Sequence, residues 1–235
     1  MQLAIFNGSP RGKNSNTKVL LDQFISGFKA SDEGTFLLNY LLQQKHIKEH
    51  AQQFKAAEVI FLAFPLYVFT VPGIVQKFIE EVGNFDGSGK KILFLVQSGF
   101  PEACQSDTVK KQMELLAKRW NMENLGIIIK PGAEGIRLMP EIMTKKLFKQ
   151  MNSFGQQLAQ TGKLDEADLK KIATPYKFSK HRDKLLLLVK QHCLPVPVPT
   201  QRAVILNSKP NPSFLFSVEI YGILTSTISQ NRHNK

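Results

Sequence analysis

Two short, unbroken apolar runs, Val59–Phe64 (VIFLAF) and Ile92–Val96 (ILFLV), limit most tightly what this chain can become. Every side chain in each run is apolar, so both faces of each strand must be covered. Such strands belong in the interior of a parallel sheet packed between two layers of helices. The rest of the sequence supplies the partners. Leu3–Phe6, Phe36–Tyr40 and Leu125–Ile129 read as three more strands. From Ser15 onward Val19, Leu20, Phe24, Ile25 and Phe28 recur at helical spacing, with Asn14 or Ser15 as the cap. Further helices are expected over His46–Ala57, from Pro72 to Gly83, from about Ser106 to Met122, over Glu141–Gln160 and over Asp165–Ala173. Strict alternation of strand and helix predicts an α/β fold with helices on both faces of a parallel sheet. In such sheets ligands bind beyond the carboxyl ends of the strands, where the strand order reverses.

Three of the loops at those ends look specialised. The first, Asn7–Thr17 (NGSPRGKNSNT), holds one Arg and one Lys but no carboxylate. A phosphate needs several donors and an approach free of negative charge. Ser9, Ser15, Asn16 and Thr17 offer side-chain donors, Gly8 and Gly12 allow close backbone approach, and Arg11 supplies a planar charged fork. The helix that follows adds the positive end of its dipole. Neither GxxxxGK[ST] nor GxGxxG spacing is present, which disfavours a nucleoside triphosphate and a dinucleotide crevice. Taken alone, this loop favours phosphate binding over a merely solvated connection. The second loop, Pro65–Gly73 (PLYVFTVPG), is long, apolar and aromatic where water should be. A flat ring lying against it would account for Tyr67 and Phe69, with main-chain N–H groups from Leu66 to Phe69 meeting the ring's polar edge. The competing account packs Leu66, Val68 and Phe69 under a helix or into a dimer. The third is Gln97–Asp107.

Together these motifs resemble the flavodoxin-like NAD(P)H-dependent FMN reductases, including the branch related to iron–sulfur flavoproteins. The first match is the GSPR…S-N-T pattern of Gly8, Ser9, Pro10, Arg11, Ser15, Asn16 and Thr17. The second is Pro65, Tyr67, Pro72 and Gly73, followed by Lys77, Phe78, Ile79 and Glu80. The resemblance covers roughly residues 1–165. It implies a flavodoxin-like three-layer α/β/α sandwich, a five-stranded parallel sheet of order 2-1-3-4-5, and FMN at the switch point. It implies that Ser9, Arg11, Ser15, Asn16 and Thr17 hold the phosphate. Pro65, Leu66, Tyr67 and Val68 would line the isoalloxazine, and Ser98, Gly99 and Phe100 would border its pyrimidine side or the ribityl chain. The implied activity is hydride transfer from NAD(P)H to FMN and on to a small acceptor (a quinone, free flavin or similar) in a ping-pong cycle. The alternative is a flavodoxin-like electron carrier or flavin-binding interaction protein. Flavodoxins are commonly acidic and this core is mildly basic, which favours the enzyme. A homodimer is implied as well. The cluster-binding cysteines of the iron–sulfur branch are missing between Tyr40 and Ala57, which argues against a cluster.

Charge and composition bound the remainder. Residues 1–174 carry 22 Lys/Arg against 17 Asp/Glu, whereas residues 175–235 carry 9 against 2. The chain is therefore expected to divide into a flavin-binding domain, 1–173, and a basic extension, 174–235. The extension reads as a helix over Lys177–His192, a Pro-rich linker Leu194–Pro199, and short strands Ala203–Leu206 and Phe214–Tyr221. Its basic residues are dispersed without an aromatic ladder. A solvated face is favoured over nucleic acid or an anionic membrane, and no nucleic-acid partner is expected. No apolar run reaches the ~18–20 residues of a membrane span. The first strand at residue 3 leaves no room for a leader, and two well-separated cysteines, Cys104 and Cys193, suit a reducing cytoplasm. His46 and His50 have metal-ligand spacing without a third ligand and are expected on the surface. Glu80 and Glu81 read as a solvated helix end, Trp120 as packing and Cys104 as a plain loop cysteine. Arg137 faces either a nicotinamide phosphate or solvent.

Overall fold

A computed structural model describes residues 2–30 and 34–178. Five strands, β1 (Gln2–Asn7), β2 (Thr35–Tyr40), β3 (Val59–Pro65), β4 (Lys91–Gln97) and β5 (Glu123–Lys130), form one parallel sheet of order β2-β1-β3-β4-β5. The helices are α1 (Asn16–Lys29), α2 (Ile47–Ala56), α3 (Gly73–Val82), α4 (Asp107–Arg119), α5 (Glu141–Thr161) and α6 (Glu166–Ile172). The expected three-layer sandwich and its strand order are both present. All seven residues of β3 are buried, as are the six after Lys91 in β4, because helices cover both faces.

Two apolar layers result. Phe6, Phe54, Phe64, Phe78, Phe94 and Trp120 pack beneath α2, α3 and α4. Ile5, Phe24, Phe28, Phe61, Leu93 and Phe154 pack beneath α1 and α5. Each such side chain contributes on the order of 1.5–3 kcal/mol when fully removed from water. Trp120 is 1% exposed and its indole N–H donates to Gly83 O at 2.8 Å, so its role is packing with its one polar atom satisfied. Helices α1 and α5 cross almost backbone to backbone. A Cβ on Gly27 would lie 1.8 Å from Asn152 O, and one on Gly155 would lie 2.0 Å from Phe24 O.

Expected and observed elements differ at a few ends. The helix expected from His46 begins at Ile47, after a 3₁₀ turn over Gln44–His46. The helix expected to reach Met122 stops at Arg119, and Asn121 takes a left-handed conformation with φ of 52°. Asp165 caps α6 as expected, its Oδ1 accepting from Asp168 N at 2.9 Å. His50 departs further from expectation. It is 6% exposed, because α2 turns that side chain inward, with Tyr40 and Gln53 as neighbours. Only His46 of the pair is half-exposed, bonded to Glu49 at 2.7 Å, and no metal-binding group is found among the described residues.

After α6 the chain stays against the core. Ala103 N and Cys104 N donate to Pro175 O and Tyr176 O, and the Tyr176 hydroxyl donates to Asp107 Oδ2 at 2.6 Å. Lys177 and Phe178 are not helical, and the rest of the expected helix, Cys193, the Pro-rich linker and the two short strands lie outside the described residues. Among the described residues no helix is long and apolar enough to cross a membrane.

Candidate functional site

Strands β1 and β3 are neighbours, yet the chain leaves β1 toward β2 and later returns on the other side of β1. The loops after β1 and β3 therefore diverge, and a crevice opens between them. The loop after β1 is held in shape from within. Asn7, at the end of β1, accepts from Ser9 N at 2.9 Å and points its amide at Gly12 O and Ser15 Oγ. Gly12 N donates to Ser9 O and Asn14 N to Arg11 O, which curls residues 12–14 into a 3₁₀ turn. Gly12 adopts φ of +53°, the left-handed region that only glycine enters cheaply. Gly8 is required by space, since a Cβ there would lie 2.3 Å from Val75 Cγ2.

Ser15 caps α1. Its Oγ donates to Gly12 O at 2.7 Å and accepts from Lys18 N at 3.0 Å. The N–H groups of Asn16 and Thr17 then open the helix without an intrahelical acceptor. The Asn16 amide donates to Ala133 O at 2.9 Å and so ties α1 to the loop after β5. Thr17 is fully buried, its hydroxyl accepting from Gln97 at 3.4 Å.

The loop after β3 makes a tight turn. Tyr67 N and Thr70 N each bond the other's carbonyl, at 3.2 and 3.1 Å. Both central residues, Val68 and Phe69, have positive φ, at 48° and 63°, as in a type I′ turn. Leu66 N donates to Gln97 O at 2.8 Å. Leu66 and Tyr67 thus spend their N–H groups on the fold, and only those of Val68 and Phe69 are unused by the hairpin. The turn leaves Tyr67, Val68 and Phe69 partly exposed, at 44%, 68% and 40%, rather than buried beneath a helix. Phe69 stacks on Phe100 from the loop after β4, with centroids 5.5 Å apart and planes 10° apart.

One pocket joins these loops. It is lined by Ser9, Arg11, Asn16, Pro65, Leu66, Tyr67, Gln97, Ser98, Gly99 and Glu134. Eight of the twelve residues singled out from sequence lie on its wall. The other four are nearby but placed differently. Ser15 and Thr17 turn inward as cap and core contact, Val68 sits at the tip of its turn, and Phe100 stacks on Phe69. Gln97, the first residue of the third loop, and Glu134 join the wall without being among those twelve. Gln97 had a signal, a polar residue closing an apolar strand. Glu134 had none, because only the fold brings it beside Gly99 and Tyr67.

The electrostatics are mixed. Burial pushes the Tyr67 hydroxyl above its ordinary range, Arg11 pulls it down and Glu134 pushes it up. Tyr67 therefore remains a protonated donor at neutral pH. Burial also lowers the Lys130 ammonium, which donates to Pro131 O at 2.6 Å. Arg137 is exposed to solvent, one of its two expected surroundings, and its guanidinium donates to Asn14 O at 2.5 Å, bracing the first loop from outside. The pocket measures about 30 Å³, room for a small polar group but not for a three-ring system. A ring attached to that group would lie along the open surface by Tyr67 and the Phe69–Phe100 stack. The donor set of Ser9, Arg11 and the α1 N-terminus, with the main-chain N–H of Asn16, fits a phosphate, and Glu134 is the one opposing charge on the pocket wall.

Comparison with known proteins bears on the fold. No curated protein matches the chain. An FMN-dependent NADH-azoreductase from Bacillus anthracis str. Ames Ancestor, solved with FMN, is 14% identical; the match covers 68% of this chain and 100% of that one at a TM-score of 0.55. An NADPH-quinone reductase from P. pentosaceus is 18% identical over 68% of this chain and 99% of that one, with a TM-score of 0.53. An NAD(P)H:quinone oxidoreductase from Methanothermobacter marburgensis is 14% identical over 67% and 98%, again with a TM-score of 0.53. At such identities the likeness is one of fold. A family model described as flavodoxin-like fold matches residues 1–158, and the chain belongs to that family.

Proposed function

We propose that this protein is an FMN-dependent oxidoreductase that takes hydride from NAD(P)H and passes it to a small acceptor such as a quinone or free flavin. One observation carries the proposal: phosphate donors and an apolar, aromatic ledge meet in a single pocket at the switch in strand order. The named reductases that share the fold, one of them solved with FMN, support it.

The flavin, when bound, supplies the redox chemistry. The chain's residues bind, orient and shield. Arg11, Ser9 and the first N–H groups of α1 would hold the phosphate, and Asn16 would fix the helix at the right height through Ala133. Pro65, Leu66 and Tyr67 would carry the ring, with the unused N–H groups of Val68 and Phe69 at its polar edge. Ser98 and Gly99 would close the opposite side, and the Phe69–Phe100 stack would exclude water from one flank. No side chain of the pocket need act as an acid or base toward the substrate. A homodimer in the cytoplasm completes the proposal, and sedimentation velocity tests the dimer.

The decisive experiment is the absorbance spectrum of purified protein, followed by anaerobic addition of NADPH. Flavin bands that bleach are expected, and a colourless protein that takes up no added FMN overturns the proposal. Steady-state NADPH oxidation with menadione then separates an enzyme from an electron carrier, which turns over almost none.

A further inference from the structure

The loop after β5 and the first turns of α5 leave four large apolar side chains uncovered. Leu138 is 91% exposed, Ile142 83%, Met143 66% and Met139 39%. A water-facing surface rarely gathers such residues without a partner for them. They are contiguous by construction, because Leu138 and Met139 lead directly into α5, whose first turn carries Ile142 and Met143. The same helix face continues with Lys145, Lys146 and Lys149, at three, four and seven residues from Ile142. From Gly135 to Gln150 there are four basic residues, Arg137 included, and one carboxylate, Glu141. The opposite face of α5, with Met151, Phe154 and Leu158, is buried against the sheet, so this helix presents an apolar tip and a lysine stripe outward.

We propose that this patch docks the protein on an anionic lipid surface. Leu138, Met139, Ile142 and Met143 enter the boundary between headgroups and acyl chains. The three lysines lay their stems along it and their ammonium groups on phosphates. The lysines favour an anionic surface over a second copy of the chain, which would bring a second set of the same positive charges to the contact. Docking also bears on the site. Arg137 bonds the loop after β1, and Glu134, four residues before Leu138, lines the pocket. The mouth of the pocket therefore stands beside the lipid. On the functional reading above, on which this clause rests, the favoured acceptor is a quinone dissolved in the membrane.

The test is cosedimentation of the full chain with phosphatidylcholine vesicles, with and without phosphatidylglycerol, at low and high salt. Binding to the phosphatidylglycerol vesicles at low salt is expected. Leu138→Gln with Ile142→Gln should weaken it about tenfold or more. Lys145→Gln, Lys146→Gln and Lys149→Gln together should weaken it on anionic vesicles only, by about fivefold per lysine at most. Far-UV circular dichroism and the melting temperature establish that the variants fold. Parental binding by the folded double variant assigns adhesion to another surface and overturns the proposal. So does a parent that binds no vesicles, or a patch whose mutation breaks only self-association. With a long-chain quinone in the vesicles, NADPH oxidation should fall in the double variant, while menadione reduction in solution stays unchanged. If no flavin is bound, both activities vanish, and sedimentation alone still decides the docking.

Discussion

At the scale of single residues, the first loop separates into groups that build it and groups left over for a ligand. Asn7 and Ser15 spend their polar atoms inside the loop, whereas Arg11 is exposed at its rim. Ser15→Ala should therefore cost about 1 kcal/mol of stability through the lost cap and change flavin affinity little. Arg11→Ala should do the reverse, weakening FMN at least tenfold with little change in melting temperature. Paired thermal melts and FMN titrations of the two variants check this, and equal losses in both would mean that Arg11 is structural. His50 makes a second prediction. Burial, foremost, holds its imidazole below the ordinary value, with His46 adding to the effect and Gln53, Tyr40 and Glu49 opposing it. The unfolded chain thus takes up a proton that the folded chain resists. This contribution is complete above pH ~6.5 and is lost as the pH falls through ~6.5 toward the lower folded value. Melting temperatures from pH 7.5 to 5 should fall with acid more shallowly in His50→Gln than in the parent.

At the scale of elements, the turn after β3 is expensive, and its cost points to use. A type I′ turn prefers Asn-Gly, and here it carries Val68 and Phe69, both with positive φ. A β-branched residue in that region costs about 1–2 kcal/mol. The sequence offers the turn no compensation, so the return lies in where it holds Tyr67 and Phe69. Val68→Asn keeps Phe69 and relieves the strain, and it should raise the melting temperature by about 2–4 °C for each kcal/mol recovered, with flavin affinity unchanged. Adding Phe69→Gly removes the stack on Phe100 and should weaken FMN several-fold. Stability gained together with tighter FMN in the double variant would contradict a ring-bearing role. This turn also shows where sequence reading stopped. Strands and helices were legible because burial on both faces demands apolar runs and helix faces recur every three or four residues. A positive φ at Val68 leaves no trace in composition, and the inward turn of Ser15 and Thr17 depends on contacts with Gly12, Lys18 and Gln97.

At the scale of the molecule, the pocket belongs to four loops that are distant in sequence, and this explains how much of it could be foreseen. Ser9, Arg11, Pro65 and Tyr67 lie in motifs with local patterns. Glu134 enters only because β5 packs beside β4 and sets its loop against Ser98 and Gly99, where Ala133 N donates to Ser98 O at 2.7 Å. The same logic extends past α6. Residues 174–178 cross the loop after β4: Ala103 and Cys104 donate to Pro175 and Tyr176, Tyr176 bonds Asp107, and Phe178 N donates to Glu102. Glu102 is two residues from Phe100, so these bonds fasten the flank of the pocket from behind. Chains ending after Ala173 and after Phe178 should therefore behave differently. The longer should keep the parent's FMN affinity. The shorter loses the four hydrogen bonds to Glu102, Ala103, Cys104 and Asp107, each worth roughly 0.5–1.5 kcal/mol, and should bind FMN several-fold more weakly, with a lower melting temperature. Fluorescence quenching of FMN with the two chains measures the difference. Equal affinities would show that the β4 loop holds its shape unaided, and that residues 174–178 contribute nothing to the flavin site.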